Sequence, residues 1–194
     1  MRRLVILLAC IGFCFCGKDD NPAGPQPNID IFPLAIGNYW NYEVVYYNDQ
    51  GYETSRDTVR TSVVGDTLID GETWFQMANN DNPMSGLCTN RSDGFWAGGP
   101  TGYLEYKYPA QVGDQYTTMN QSTMTVEDDS NVVQVAAGEF TCVSYVANVP
   151  NRHSFGRAKL SPGTGLILEE SWEETNDNQL YLAARSQLQS YSVH

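Results

Sequence analysis

Beyond residue 30, no stretch of this chain places apolar residues at helical spacing over three turns, whereas alternation with a period of two recurs throughout. Trp40, Tyr42, Val44 and Tyr46 alternate with Asn41, Glu43 and Val45. That pattern suits a strand with one buried face, because successive side chains of a strand point to opposite sides of the sheet. Residues 53–64 read as a polar strand, turned out of the first by Asp49-Gln50-Gly51. Asp70-Gly71 and Asp93-Gly94 read as type I′ hairpin turns, in which glycine supplies the positive φ. Further strands are expected at 73–78, 87–91, 95–97, 103–108, 122–127, 132–136, 140–148, 157–160, 166–173 and 180–191. About ten to twelve short strands joined by short turns give an all-β fold class, an antiparallel meander that forms an open (half) barrel or a sandwich.

One segment recurs within the chain. Phe32-Pro33-Leu34-Ala35-Ile36-Gly37-Asn38-Tyr39-Trp40 is echoed by Tyr108-Pro109-Ala110-Gln111-Val112-Gly113-Asp114-Gln115-Tyr116. Proline fixes φ and ends pairing, and Gly followed by Asn or Asp makes a tight corner, so each copy is read as launching a strand. The repeat is either one turn solution used twice or the mark of two related halves of a sheet.

The first fifteen residues are of another kind. Met1-Arg2-Arg3 is followed by the twelve-residue run Leu4 to Phe15, which stops at Gly17-Lys18-Asp19-Asp20. That run suits an export signal and falls short of the roughly 20 residues needed to cross a bilayer. With Cys10, Cys14 and Cys16 in or just after it, the segment resembles a bacterial lipoprotein signal, whose lipobox cysteine takes a diacylglycerol and becomes the mature N-terminus. Leu7-Leu8-Ala9-Cys10 matches the usual lipobox best but leaves a short apolar run and an apolar start. Cys16 gives the right length and a polar start despite the bulky Phe15 before it, so Cys16 is the expected lipidation site and Cys10 the alternative. The domain plan is then a signal peptide at 1–15, a flexible tether at 16–30 and a single β domain at 31–194. Lys18 to Asn28 carries three prolines and no large apolar residue, as a tether requires. The formal net charge is −12 and becomes two units more negative without Arg2 and Arg3, so nucleic acid is not an expected partner.

The lead-in at 32–40, Ala137-Gly138-Glu139-Phe140-Thr141-Cys142 and Ser161-Pro162-Gly163-Thr164-Gly165-Leu166-Ile167 resemble, in that order, a broad set of uncharacterised secreted bacterial lipoproteins, the TapB-like group among them. The resemblance spans about residues 31 to 191 and rests on short structural motifs. It implies an antiparallel β fold, akin to the half-barrels of lipoprotein carriers, and brings no catalytic residues with it.

No enzyme chemistry is legible. The chain has two histidines, His153 and His194, and no Gly-x-Ser-x-Gly, phosphate loop or dinucleotide fingerprint. No metal site and no cofactor are expected. Asp19-Asp20-Asn21 followed by Gly24 lacks the later carboxylate of a calcium loop. Glu169, Glu170, Glu173 and Glu174 share one strand, where neighbours point to opposite faces, so they read as a solvated strand edge.

Cys88 and Cys142 are the pair left for an oxidising compartment, and a disulfide is expected between them, with two separate buried thiols as the alternative. If Asn176-Asp177-Asn178 is a three-residue hairpin loop, Leu166 faces Leu188, Trp172 faces Leu182 and Glu169 faces Arg185. Trp40, Tyr42, Val44, Leu168, Trp172 and Leu182 are then the candidate wall of an apolar ligand groove on the concave face. The chain reads as an envelope lipoprotein, anchored to a membrane by its N-terminal lipid, whose β domain binds an apolar small molecule or an envelope protein. A glycan- or protein-contacting surface is the alternative, and a hydrolase using paired carboxylates the distant one. Gly17 after Cys16 favours the outer membrane over the inner by resemblance to sorting signals.

Overall fold

The computed structural model describes residues 30–148 and 155–194. The signal peptide, the tether up to residue 29, Cys10, Cys16 and His153 lie outside the described residues.

The first six strands are β1 (Tyr39–Tyr47), β2 (Glu53–Ile69), β3 (Glu72–Asn79), β4 (Asn82–Arg91), β5 (Gly94–Ala97) and β6 (Tyr103–Lys107). The next six are β7 (Gln115–Thr117), β8 (Thr123–Val135), β9 (Gly138–Asn148), β10 (Phe155–Ser161), β11 (Gly165–Glu174) and β12 (Leu180–Ser192). All twelve form one sheet in the order β6-β5-β4-β3-β2-β1-β12-β11-β10-β9-β8-β7. Each strand pairs antiparallel with its sequence neighbour, except that β1 closes on β12 and β6 does not pair with β7. The sheet is thus an all-β meander nearly closed into a barrel, with one seam between β6 and β7.

Side chains bridge that seam where the backbone ladder stops. The Lys107 amide donates to the Tyr116 hydroxyl at 3.1 Å, and that hydroxyl donates to the Glu105 carbonyl at 3.0 Å. Tyr145 donates to the Lys107 carbonyl at 2.7 Å, and Lys107 pairs with Asp114 at 2.9 Å. Unpaired edges invite association with other chains, and these bonds occupy backbone groups of the β6 edge.

The repeated lead-in is one geometry used twice at equivalent places. Gly37 N–H donates to the Val63 carbonyl, Asn38 N–H to Ala35 and Val63 N–H to Asn38. Gly113 N–H likewise donates to Val126, Asp114 N–H to Gln111 and Val126 N–H to Asp114. Gly37 and Gly113 have φ of 96° and 91°, a left-handed conformation that glycine adopts without steric penalty. One copy launches β1 and the other β7, each opening a six-stranded meander. The two meanders sit side by side in the same order, so the repeat marks two related halves of the sheet.

The turns divide. Asp70 and Gly71 both have positive φ, as a type I′ turn requires, but Gly94 is the first residue of β5, and the β4–β5 loop is Ser92-Asp93. A second pair of positive-φ residues, Asn80 and Asp81, turns β3 into β4, which therefore begins at Asn82 and is longer than the strand expected at 87–91. The two strands expected at 122–127 and 132–136 are one bulged strand, β8, and the short β7 was not expected.

The core is one cluster drawn from both halves of the sheet. Trp40, Leu160, Ile167, Leu188 and Tyr145 are fully buried there. The lead-in folds beneath them, held by Asn90 donating to the Phe32 carbonyl at 2.8 Å and by Gly163 N–H donating to Asp30 at 2.8 Å. Ring contacts run from Trp40 to Phe32 (4.7 Å between centroids), Phe32 to Phe95 (5.1 Å), Phe95 to Tyr106 (6.3 Å) and Tyr106 to Tyr145 (5.3 Å), an aromatic floor laid across the barrel.

Candidate functional site

Above this floor lies a cavity of about 360 Å³, whose wall includes Phe32, Phe95, Tyr106, Tyr42, Met77 and Leu166. A second lobe of about 260 Å³ shares Tyr42, Thr61, Asn79, Leu166 and Glu169 with it and continues along Val44, Tyr46 and Ser171. Glu169 therefore stands at the junction of the lobes. The alternation of β1 places Tyr42, Val44 and Tyr46 on this wall, as period two demands.

Two β-bulges decide which other side chains reach it. Phe95 faces Tyr106 and Trp96 faces Leu104, so Glu105 is the extra residue, and Glu105 and Tyr106 both line the larger lobe. On β11, Lys159 faces Leu168 and Leu160 faces Leu166, so Ile167 is extra. The bulge flips the alternation: Leu166 lines the wall, and beyond the bulge it is Glu169 and Ser171 that line it, not Leu168.

The wall carries two acids in one electrostatic field. Burial holds the Glu169 carboxyl above the usual carboxylate range. Water reaches Glu169 through the cavity, yet protein packs around it densely enough for desolvation to dominate. Burial also raises Glu105; the Thr118 hydroxyl, donating to it at 3.2 Å, pulls the other way, and the charge of Glu169 raises it further. Tyr106 is pushed well above its ordinary value by burial and then by these two acids. The Tyr42 hydroxyl donates to the Leu166 carbonyl at 3.1 Å, whereas neither the Tyr106 hydroxyl nor the Glu169 carboxyl has a hydrogen-bond partner among the described residues.

These shifts set a pH dependence. In the unfolded chain the two carboxyls titrate at ordinary values, and in the folded barrel above them, so between those values the folded state binds more protons. Stability therefore falls as pH rises through that window and stays lower above it. Melting temperature is expected to be higher at pH 5 than at pH 7.5, and the difference to shrink in Glu169→Gln; an unchanged difference would remove Glu169 as its source. The exposed ion pairs that lower Glu53, Glu72 and Asp114 lose their effect only at more acidic pH, below the usual carboxylate range.

The candidate groove is thus partly relocated. Tyr42 and Val44 line the cavity, while Trp40 is core, its Nε1 donating to the Thr164 carbonyl at 2.6 Å. Leu168, Trp172 and Leu182 are not on the wall of either lobe. Trp172 does face Leu182, as the three-residue loop requires, but a bulge between Ser171 and Trp172 then shifts the register. Glu170, not Glu169, faces Arg185 and pairs with it at 2.7 Å, and Glu169 faces Ser186. Since Ser171 lines the cavity, its neighbour Trp172 points away, where it stacks on Phe155 at 5.6 Å. On β11 the apolar set misses the inner face because, past Leu166, the wall is continued by Glu169 and Ser171.

The expected disulfide is corrected as well. Cys88 on β4 and Cys142 on β9 are free, buried thiols on strands far apart in the sheet order. Each sulfur lies near a backbone carbonyl, of Phe75 at 3.5 Å and of Phe140 at 3.8 Å. Burial raises the two thiols to about 12 and about 11, so neither is a ready nucleophile. Among the described residues no group of three or more His, Cys, Asp or Glu is placed to hold a metal ion. Glu105 and Tyr106 went unnoticed in the sequence, where the available signal was a single acid between aromatic residues in Tyr103-Leu104-Glu105-Tyr106.

The chain matches no family model and no curated protein. Among solved structures it is similar to a protein from Parabacteroides distasonis described as a lipoprotein, at 15% identity and a TM-score of 0.48, covering 86% of this chain and 100% of that one. It is also similar to a protein from Bacteroides fragilis described as exported and as having a YmcC-like fold, at 13% identity and a TM-score of 0.46, covering 84% of this chain and 99% of that one.

Proposed function

We propose that this chain is an exported lipoprotein of the TapB-like kind, held to a bacterial envelope membrane through Cys16, whose barrel binds a small molecule with a substantial apolar surface. The observation that carries the binding role is the cavity of about 360 Å³ above the Phe32, Phe95 and Tyr106 floor. Small-molecule sites are concavities of a few hundred Å³, mostly apolar, with a few placed polar groups. The anchor rests on the leader and its cysteines, with Cys10 as the alternative site, and Gly17 favours the outer membrane.

Binding is preferred to catalysis for a physical reason. A working acid and base need environments that push their pKa values apart. Here burial raises both Glu105 and Glu169, which leaves no division of labour between them.

The test is extraction of the full-length protein, purified from its host, into organic solvent, with mass spectrometry of what is released. Wild type should yield a bound molecule at near-stoichiometric amounts. Thr61→Trp, which puts a large ring at the junction of the lobes, should cut that yield at least tenfold while leaving the melting temperature within a few degrees. Equal yields from both proteins would remove the cavity as the binding site. Labelled fatty acid should enter the protein in the host and be lost on Cys16→Ala; loss on Cys10→Ala alone would move the anchor.

A further inference from the structure

We infer that the molecule taken by this cavity is an organic cation, an amine or guanidine on an aromatic or branched apolar body, with its charged head between Glu105 and Glu169 and its body on the aromatic floor. This inference rests on the cavity being a binding site.

Charge is the first argument. Glu105 and Glu169 line the larger lobe, and among the described residues no Lys, Arg or His lines either lobe. Nearby cations are engaged elsewhere: Lys107 with Asp114 across the seam, and Arg185 with Glu170. Glu169 is open to the cavity yet partly desolvated by the protein around it, and a partly desolvated carboxylate gains from an ion pair or a hydrogen bond. Glu169 has neither kind of partner among the described residues, and its side chain is aimed at the junction of the lobes.

Shape and polarity are the second. Tyr106, half-buried against the lobe, presents a hydroxyl with no hydrogen-bond partner among the described residues, an acceptor for a second N–H of the same head group. Phe95, Tyr103 and Tyr106 line the same lobe, and aromatic rings attract cations through their quadrupole. Two carboxyls fall well short of the oxygen cage of a calcium ion, which takes about six to eight ligands. An anionic ligand would meet two like charges, and a neutral apolar one would leave Glu169 unpaired. The formal charge of −12 favours the encounter with cations over anions.

The test compares three probes of one shape, phenethylamine, 2-phenylethanol and phenylacetate, by ligand-observed NMR titration. The protein is the full chain in nanodiscs of phosphatidylcholine, and matched empty discs correct for partitioning. Phenethylamine should bind roughly tenfold or more tightly than 2-phenylethanol, the gain expected of a charge-assisted hydrogen bond. Phenylacetate should bind more weakly than both. Glu169→Gln should bring the amine down to the level of the alcohol while leaving the alcohol unchanged, and Glu105→Gln should do so in part. The amine preference should also fade as pH drops and the acids protonate, Tyr42, Tyr103, Tyr106 and Cys88 of the larger lobe staying neutral throughout. An alcohol that binds as tightly as the amine, or a preference that survives Glu169→Gln, overturns the cation inference and leaves an apolar binding site. If none of the three binds, the reading of the cavity as a binding site falls with it.

Discussion

Trp40→Ala is expected to cost about 3–5 kcal/mol, the range for deleting a large aromatic side chain from a packed core. Trp40 is fully buried, packs against Phe32 and donates to the carbonyl of Thr164, a residue in the turn between β10 and β11. Truncation opens a void and orphans that carbonyl. It also unties the lead-in from the far half of the sheet. For a domain whose total stability is of order 5–15 kcal/mol, the loss should be plain in the midpoint of urea unfolding. Trp172→Ala is the control, since its ring stacks on Phe155 away from the barrel interior and should cost markedly less. A Trp40→Ala loss below about 1 kcal/mol would place Trp40 on a groove wall after all.

Gly94→Ala is expected to be nearly as damaging, for a backbone reason. Gly94 has φ of 140°, and a Cβ added there would lie 2.1 Å from the Tyr106 carbonyl oxygen and 2.9 Å from the Lys107 Cα. Both are main-chain atoms of the paired strand, so no side chain can turn aside, and β5 and β6 must separate. Gly37→Ala is the matched comparison: its φ is 96°, but a Cβ there meets nothing within 4 Å. Backbone conformation alone costs an L residue about 1–2 kcal/mol in the left-handed region. Gly37→Ala should stay near that figure and Gly94→Ala should exceed it. Amide exchange at Tyr108, which donates to Asp93 beside the turn, should accelerate only in the second variant. Because Glu105 and Tyr106 ride on the same strand pair, Gly94→Ala should also weaken any ligand the cavity holds. Equal costs for the two variants would mean that the steric contact relaxes.

Much of the architecture is readable in the residues, and the departures share one cause. Period-two alternation in β1 leads directly to Tyr42 and Val44 on the cavity wall, because no bulge interrupts that strand between them. The same rule misplaces Leu168 and misassigns Arg185 to Glu169, because an extra residue in β11 and a shift beside Trp172 each turn the following side chains over. Hydrophobic pattern reports only which residues can be buried. It cannot show where two residues of one strand will oppose one of the next, since that depends on the partner strand and on the twist of the whole sheet. The disulfide misled for a related reason. Sequence separation bears on the entropy of closing a loop and carries no information on which strands come together.

By itself the sequence determined the all-β class, the antiparallel meander, the twin lead-ins at Phe32 and Tyr108 and their glycine corners, for all of these follow from local sterics and side-chain periodicity. Only the tertiary structure decided that β1 closes on β12 while β6 and β7 are joined through side chains, and that Cys88 and Cys142 stay apart. It alone decided that Glu105, from the first half, and Glu169, from the second, look into one cavity. Two residues so distant in sequence meet only when the sheet curls, and the curl is a property of all twelve strands together.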